Sequence, residues 1–183
     1  TVSNNPRSTV WTITEIYDFY RLLYTNIGIP HCIHHADIPL KKDSIKNIVE
    51  HVSKFGEGDR FHILTPLVYE EGIDSFDLLS KRVTDLGFVR FQIGNTTYSV
   101  ADIPDNSIPK NERIYIVIDR LIKKDDDNFW VRLTDSLRIA LEKWNGRVSI
   151  CVWDSYSHFS LHATCPICEF QIDNLSISNF SFN

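Results

Sequence analysis

Ile114-Tyr115-Ile116-Val117-Ile118-Asp119-Arg120 sets three isoleucines against Tyr115, Val117 and Asp119, the two-residue period of a strand with one or both faces buried. The run Asp125-Asp126-Asp127-Asn128 follows, supplying a cap and a complement to the helix dipole. Val131, Leu137, Ala140, Leu141 and Trp144 then mark a helix that Asn145-Gly146 stops. Two further strands are expected at 147–153 and 157–163. On the N-terminal side, 88–93 and 96–100 flank Gly94-Asn95, a pair that tolerates the positive φ of a tight hairpin turn. Residues 60–69 read as a strand and 74–86 as a helix closed by Gly87. Ile45, Ile48, Val49 and Val52 read as a helix ended by Gly56, and 101–112, with Pro104 and Pro109, as a loop. The pattern predicts an α+β domain, a mixed set of strands and helices, over residues 44–157.

The flanking pieces, 1–43 and 158–183, read as belonging together. Residues 12–27 place Ile13, Ile16, Tyr17, Tyr20, Leu23, Tyr24 and Ile27 on one helical face. Thr12 and Glu15 form a capping box, and Gly28 with Pro30 gives the stop. The segment 169–183 is polar and serine-rich, without periodicity.

The chain has 183 residues, 43% of them apolar, which is enough to bury a core and excludes a disordered linker. Its net charge of −5 lacks the positive field from which nonspecific nucleic-acid binding draws affinity. No apolar run approaches the roughly 20 residues that cross a bilayer, so no membrane role is expected. Methionine is absent and residue 1 is Thr, so the chain reads as an excerpt of a longer one, without a signal peptide and suited to the cytoplasm.

Cys165-Pro166-Ile167-Cys168 places two thiolates on a tight knuckle, half of a tetrahedral zinc site. Cys32-Ile33-His34-His35 offers a second pair at similar spacing. Cys32, His35, Cys165 and Cys168 together make a closed Cys₃His set with no vacancy for substrate. The halves lie 165 − 32 = 133 positions apart, so one shared ion would clamp the neck of the intervening domain. Other readings compete: a redox pair, a partner pair beyond Asn183, or His34 in place of His35. Cys151, in a strand-like run, reads as a small core residue.

No phosphate-binding G-x-x-x-x-G-K-[ST] loop and no G-x-S-x-G elbow occur. His158 and His162 read as surface histidines, and the acidic run 125–127 as a solvated helix start. Arg90 and Arg120, each on or beside a strand, suit bidentate recognition of a partner's carboxylates. They suit ordinary salt bridges equally well, Arg120 with Asp119 or with the acidic run.

Asn5-Pro6-Arg7-Ser8-Thr9-Val10, Thr14-Glu15-Ile16-Tyr17-Asp18 and Arg21-Leu22-Leu23-Tyr24 begin an ordered series of matches. Gly28-x-Pro30 with Cys32, Gly87-Phe88-Val89-Arg90, Val117-Ile118-Asp119-Arg120-Leu121, Asp135-Ser136-Leu137, Cys165-Pro166-Ile167-Cys168 and Phe180-Ser181-Phe182-Asn183 continue it. In these residues the chain resembles the UvrA family of damage-sensing excinuclease ATPases. The resemblance implies that 44–157 is a UvrB-binding domain inserted in an ABC-type ATPase lobe, with 1–43 and 158–183 as strips of that lobe and halves of a zinc module. It implies that Arg90 and Arg120 engage UvrB and that Cys32, His35, Cys165 and Cys168 hold structural zinc. ATP with magnesium, damaged double-stranded DNA and homodimerisation belong, by the same resemblance, to the parent protein in nucleotide excision repair. The Walker A, signature and Walker B motifs are absent from this chain. Three departures stand out: Trp11 replaces a usual glycine, Gln92 a usual basic residue in the Arg90 strand, and the stretch at Gly72 lacks the usual basic loop. The last two predict weaker partner binding. An alternative expectation is a stand-alone zinc-ribbon module that binds single-stranded nucleic acid through exposed Phe159, Phe170 and Phe180.

Overall fold

The computed structural model describes residues 16–67, 75–104, 108–109, 112–172 and 175–180. Within it the chain divides into two compact units, Asp43–Leu161 and a second made of Thr1–Lys42 with His162–Asn183.

In Asp43–Leu161, three polar side chains start three helices by accepting otherwise unpaired N–H groups of a first turn. Ser44 caps Ile45–Ser53 through the Asn47 N–H, while the Asn47 side chain reaches back to the Ser44 N–H in a capping box. Ser75 caps Phe76–Asp85 and Asp126 caps Asp127–Lys143. With the helix Ile16–Ile27 of the other unit as α1, these are α2, α3 and α4. The strands are β1 Arg60–Pro66, β2 Arg90–Ile93, β3 Thr96–Ser99, β4 Ile114–Ile122, β5 Arg147–Val152 and β6 Ser155–Ser160. They form one antiparallel sheet in the order β3-β2-β4-β1-β5-β6. The fold is the expected α+β class.

Ile48 and Val52 of α2, with Leu133, Leu137, Ala140 and Leu141 of α4, bury against Phe61, Ile63, Val148 and Ile150 of the sheet. Phe76, Leu79 and Val83 of α3 bury against Phe91, Ile93, Ile114 and Ile116. Val131 does not join this core: it is 62% exposed, and Phe129 and Leu133 supply the inward stripe instead. The opposite sheet face carries Leu64, Tyr115, Val117 and Cys151, with Tyr156 against them.

The β1–β4 ladder contains a bulge. Ile63 pairs with Asp119 and Leu64 with Val117, leaving Ile118 without a partner. Such an extra residue shifts the alternation beyond it. Tyr115 and Val117 face one way, whereas Asp119 and Leu121 come to the α4 side, where Asp119 bonds to Ser136 and Leu121 joins the α4 core.

In the other unit, α1 begins the described residues, so Trp11 and the Thr12/Glu15 box lie outside them, as do Gly72, Asp74 and Tyr69. Of the expected apolar face of α1, Ile13 lies outside the described residues and the rest is present but largely exposed. Ile16, Tyr20, Leu23, Tyr24 and Ile27 are exposed, and no residue of the helix is buried. Its contacts among the described residues run to a short 3₁₀ turn, Ile177–Phe180: Tyr17 donates to the Phe180 carbonyl, Arg21 donates to that of Ile177, and Tyr24 stacks on the Phe180 ring. No helix among the described residues is long and apolar enough to cross a membrane.

Candidate metal centre and arginine cleft

Two short backbone turns build the candidate metal site. In the first, the Cys32 N–H donates to Ile38 O and the Ile38 N–H to His35 O, with a bridge from His31 to Pro39. In the second, Ala163–Thr164 and Gln171–Ile172 pair as β7 and β8, and Cys165-Pro166-Ile167-Cys168 forms the loop between them. The Cys165 N–H donates to Phe170 O, the Glu169 N–H returns to Cys165 O, and Glu169 sits at φ +58° to close the turn. Reciprocal bonds between Lys41 and Thr164 join the two turns.

The four side chains converge. Ligand atoms of Cys32, His35, Cys165 and Cys168 all lie within 4.8 Å of one another. Cys32 Sγ is 3.5 Å from Cys168 Sγ and 3.7 Å from His35 Nδ1, and Cys165 Sγ is 3.8 Å from the same nitrogen. Zinc bonded to sulfur at about 2.3 Å and to nitrogen at about 2.05 Å in a regular tetrahedron has edges of about 3.8 and 3.6 Å. The donor set therefore fits such an ion. Burial raises the Cys165 thiol, but N–H groups of Cys168 and Ile167 and the neighbouring Cys32 and Cys168 groups outweigh it, bringing its pKa to about 6. Cys168 is raised: the Phe170 N–H favours its thiolate, but burial and the adjacent Cys32 and Cys165 sulfurs prevail. A thiolate ready at neutral pH is what metal binding needs. His34, the other candidate imidazole, is exposed and meets the Phe170 ring edge-on instead.

Arg90 and Arg120 come together in the Asp43–Leu161 unit. The β2–β4 ladder pairs only Phe91–Ile93 with Ile114–Ile116, and beyond Ile116 the strands part. A cavity of about 420 Å³ opens there, lined by Phe88, Val89 and Arg90 on the β2 side, Val117 to Arg120 on β4, and Arg132 of α4. Neither Arg90 nor Arg120 has a side-chain hydrogen bond or ion pair among the described residues. The expected alternative of an Arg120–Asp119 salt bridge gives way to a different pair. Asp119 accepts from Arg132 Nε at 2.9 Å and Nη2 at 2.7 Å, from Ser136 Oγ at 2.8 Å and from the Arg120 backbone N–H at 2.8 Å. Asp125 of the acidic run holds Lys123 at 3.3 Å.

Sequence reasoning missed Arg132 and Asp119 as cleft residues. Their spacing of 13 across a strand and a helix leaves no periodic signal; only the pairing of an inward-facing acid with an exposed helix arginine could have shown it. Gln92 is corrected too. It is 2% exposed, its Nε2 donates to Tyr156 Oη and Gly94 O, and its Oε1 accepts from His62 Nδ1 at 3.1 Å. A partner cannot reach that position. The proposed aromatic platform also fails, because Phe159 packs against the α2/α4 core, Phe170 against the cysteine cluster, and Phe180 against Tyr24. None is a free stacking surface. His158 is exposed but stacked beside Tyr156, with Nδ1 at 2.8 Å from Ser149 Oγ, and Cys151 is buried.

Residues 43–154 match the UvrA interaction domain family. Over the whole chain, the sequence is 37% identical to the UvrABC system protein A of Staphylococcus aureus (strain Mu50 / ATCC 700699) and 36% identical to that of Staphylococcus epidermidis (strain ATCC 12228 / FDA PCI 1200). The chain spans 19% of the length of each of these relatives.

Proposed function

Because this chain belongs to the UvrA family, we propose that its Asp43–Leu161 unit docks UvrB and that its four-ligand cluster holds a structural zinc, within a nucleotide excision repair protein of the cytoplasm. One observation carries the docking reading: two guanidinium groups without side-chain partners among the described residues, Arg90 and Arg120, line one cavity. Two left open on a rigid sheet are preorganised for bidentate bonds to carboxylates of another chain, and their charge speeds the encounter.

Zinc would supply bonds that pin the 32–35 turn to the 165–168 turn, with no open position for chemistry. The chain's own residues do the rest: Cys32, Cys165 and Cys168 present sulfur, His35 presents Nδ1, and backbone N–H groups at the knuckle hold Cys165 as thiolate. The two segments so pinned are those leading into and out of the docking unit. ATP hydrolysis, contact with damaged double-stranded DNA and dimerisation fall to the parts of the longer relatives that this chain does not span.

The test is charge reversal. Arg90→Glu and Arg120→Glu should each weaken UvrB binding tenfold or more, about 1.4 kcal/mol or above, as read by calorimetry. Unchanged affinity in both variants would end the docking reading and leave the family assignment standing.

A further inference from the structure

The cleft contains a fourth charged group whose place in it is unexplained by docking through Arg90 and Arg120 alone. Counting Arg90, Arg120 and Arg132 against Asp119 gives 3 − 1 = +2. We propose that Asp119 sets the selectivity of the cleft: by engaging Arg132 it leaves two free guanidiniums for paired carboxylates of a protein partner and turns away the repeated phosphates of a polyanion. The identity of the protein partner rests on the docking reading above; the rejection of polyanions does not.

Three observations carry the proposal. First, Arg132 is bound through the fork of Nε and Nη2, the edge by which a guanidinium grips a phosphate or carboxylate. That edge is already occupied. Second, Asp119 is held so that it stays with Arg132: Ser136 Oγ and the Arg120 N–H bond its remaining lone pairs, and its side chain is only 18% exposed. Third, the bulge at Ile118 is what brings Asp119 to α4; in regular alternation with Tyr115 and Val117, residue 119 would lie on the other sheet face. An anionic group inside a cationic cleft lowers the potential felt by every incoming negative charge. Two carboxylates fixed on a folded partner still gain two bidentate pairs. A polyanion, whose binding scales with the number of charges it has neutralised, loses the third contact.

The experiment measures binding of a heparin oligosaccharide and of a short DNA duplex to the 183-residue chain across a salt series. It compares wild type, Asp119→Asn and Asp119→Asn with Arg132→Gln, with thermal melts to establish folding. Asp119→Asn should bind both polyanions about three- to tenfold more tightly at low salt, with a log–log salt slope steeper by about one. The double variant should return to wild-type affinity and slope. Loss of a purely structural contact would produce no gain. A folded Asp119→Asn with unchanged or weaker polyanion binding overturns the proposal, as does a gain that persists in the double variant. If Asp119→Asn does not fold, Asp119→Ser, which keeps a hydroxyl for the strand N–H, is read by the same criteria. UvrB binding forms a separate arm: if Arg90→Glu and Arg120→Glu leave it intact, the docking reading falls while the polyanion results still decide the role of Asp119.

Discussion

Asp119 is held by four donors, and their balance fixes how this site responds to acid. Partial burial raises its pKa, but the Arg132 guanidinium, Ser136 and the Arg120 N–H together hold the carboxyl below the usual range. A folded-state pKa below the unfolded one means stability that is present above about pH 4 and disappears as pH falls through the folded value. Asp119→Asn should therefore unfold at lower denaturant than wild type at neutral pH, by about 1–2 kcal/mol given an exposed Arg132. The two curves should converge at acid pH; a gap that stays constant from pH 7 to pH 2 would show that the charge plays no part. At this scale the sequence was only partly legible. Cys32, His35, Cys165 and Cys168 stand out because two short pairs of ligand-type residues at like spacing are visible in the sequence, and the structure brings their ligand atoms within 4.8 Å of one another. Arg132 does not, since a salt bridge between a strand and the following helix has no fixed spacing. Gln92 misled because its replacement of a usual basic residue reads as a loss at the partner-facing surface, whereas here its amide is satisfied inside a Tyr156–His62–Gly94 network.

Among the elements, α3, α4 and the hairpin β2–β3 were legible from periodicity and from Gly94-Asn95, since each buries one face and the alternation records it. The bulge in β4 left no such trace: Ile118 is as good a strand residue as its neighbours, and only the ladder shows that it is unpaired. Helix α1 illustrates the reverse case. Its stripe marks one apolar face, yet Leu23 and Ile27 on that face are 48% and 70% exposed and the helix has no buried residue. Amphipathic spacing reports that a face needs a cover, not where the cover is. Among the described residues its covering contact is one turn of 3₁₀ helix. Phe19→Glu with Leu23→Glu should consequently leave the melting temperature within about 2 °C, because little apolar area is lost from a core. The same pair should raise the concentration at which the chain begins to self-associate, as followed by sedimentation. A large fall in melting temperature would mean that α1 is packed more extensively than these contacts indicate.

At the scale of the whole molecule, two units with separate cores imply two separable responses. Metal analysis should find one zinc per chain, lost in Cys32→Ser and in Cys165→Ser alike. The cluster around Cys32, Leu40 and Cys165 is small, so a chelator should unfold the turns at 32–38 and 165–170 while amide protection in β1, β4 and β5 persists. Coincident loss of both would contradict independent cores. The alternation of strand and helix made the Asp43–Leu161 architecture readable. The other unit was less so, because its turns are joined by two-residue strands and a cluster of residues distant in sequence rather than by any repeating pattern.

The two ends of the sheet-bearing unit meet: the Asp43 N–H donates to Ser160 O at 2.7 Å, and the Ser160 N–H to Asp43 Oδ2 at 3.0 Å. A module whose two ends touch behaves as a cassette. It can be exchanged for the equivalent segment of a relative, or rejoined head to tail with new ends opened elsewhere, because its own ends lie a hydrogen bond apart.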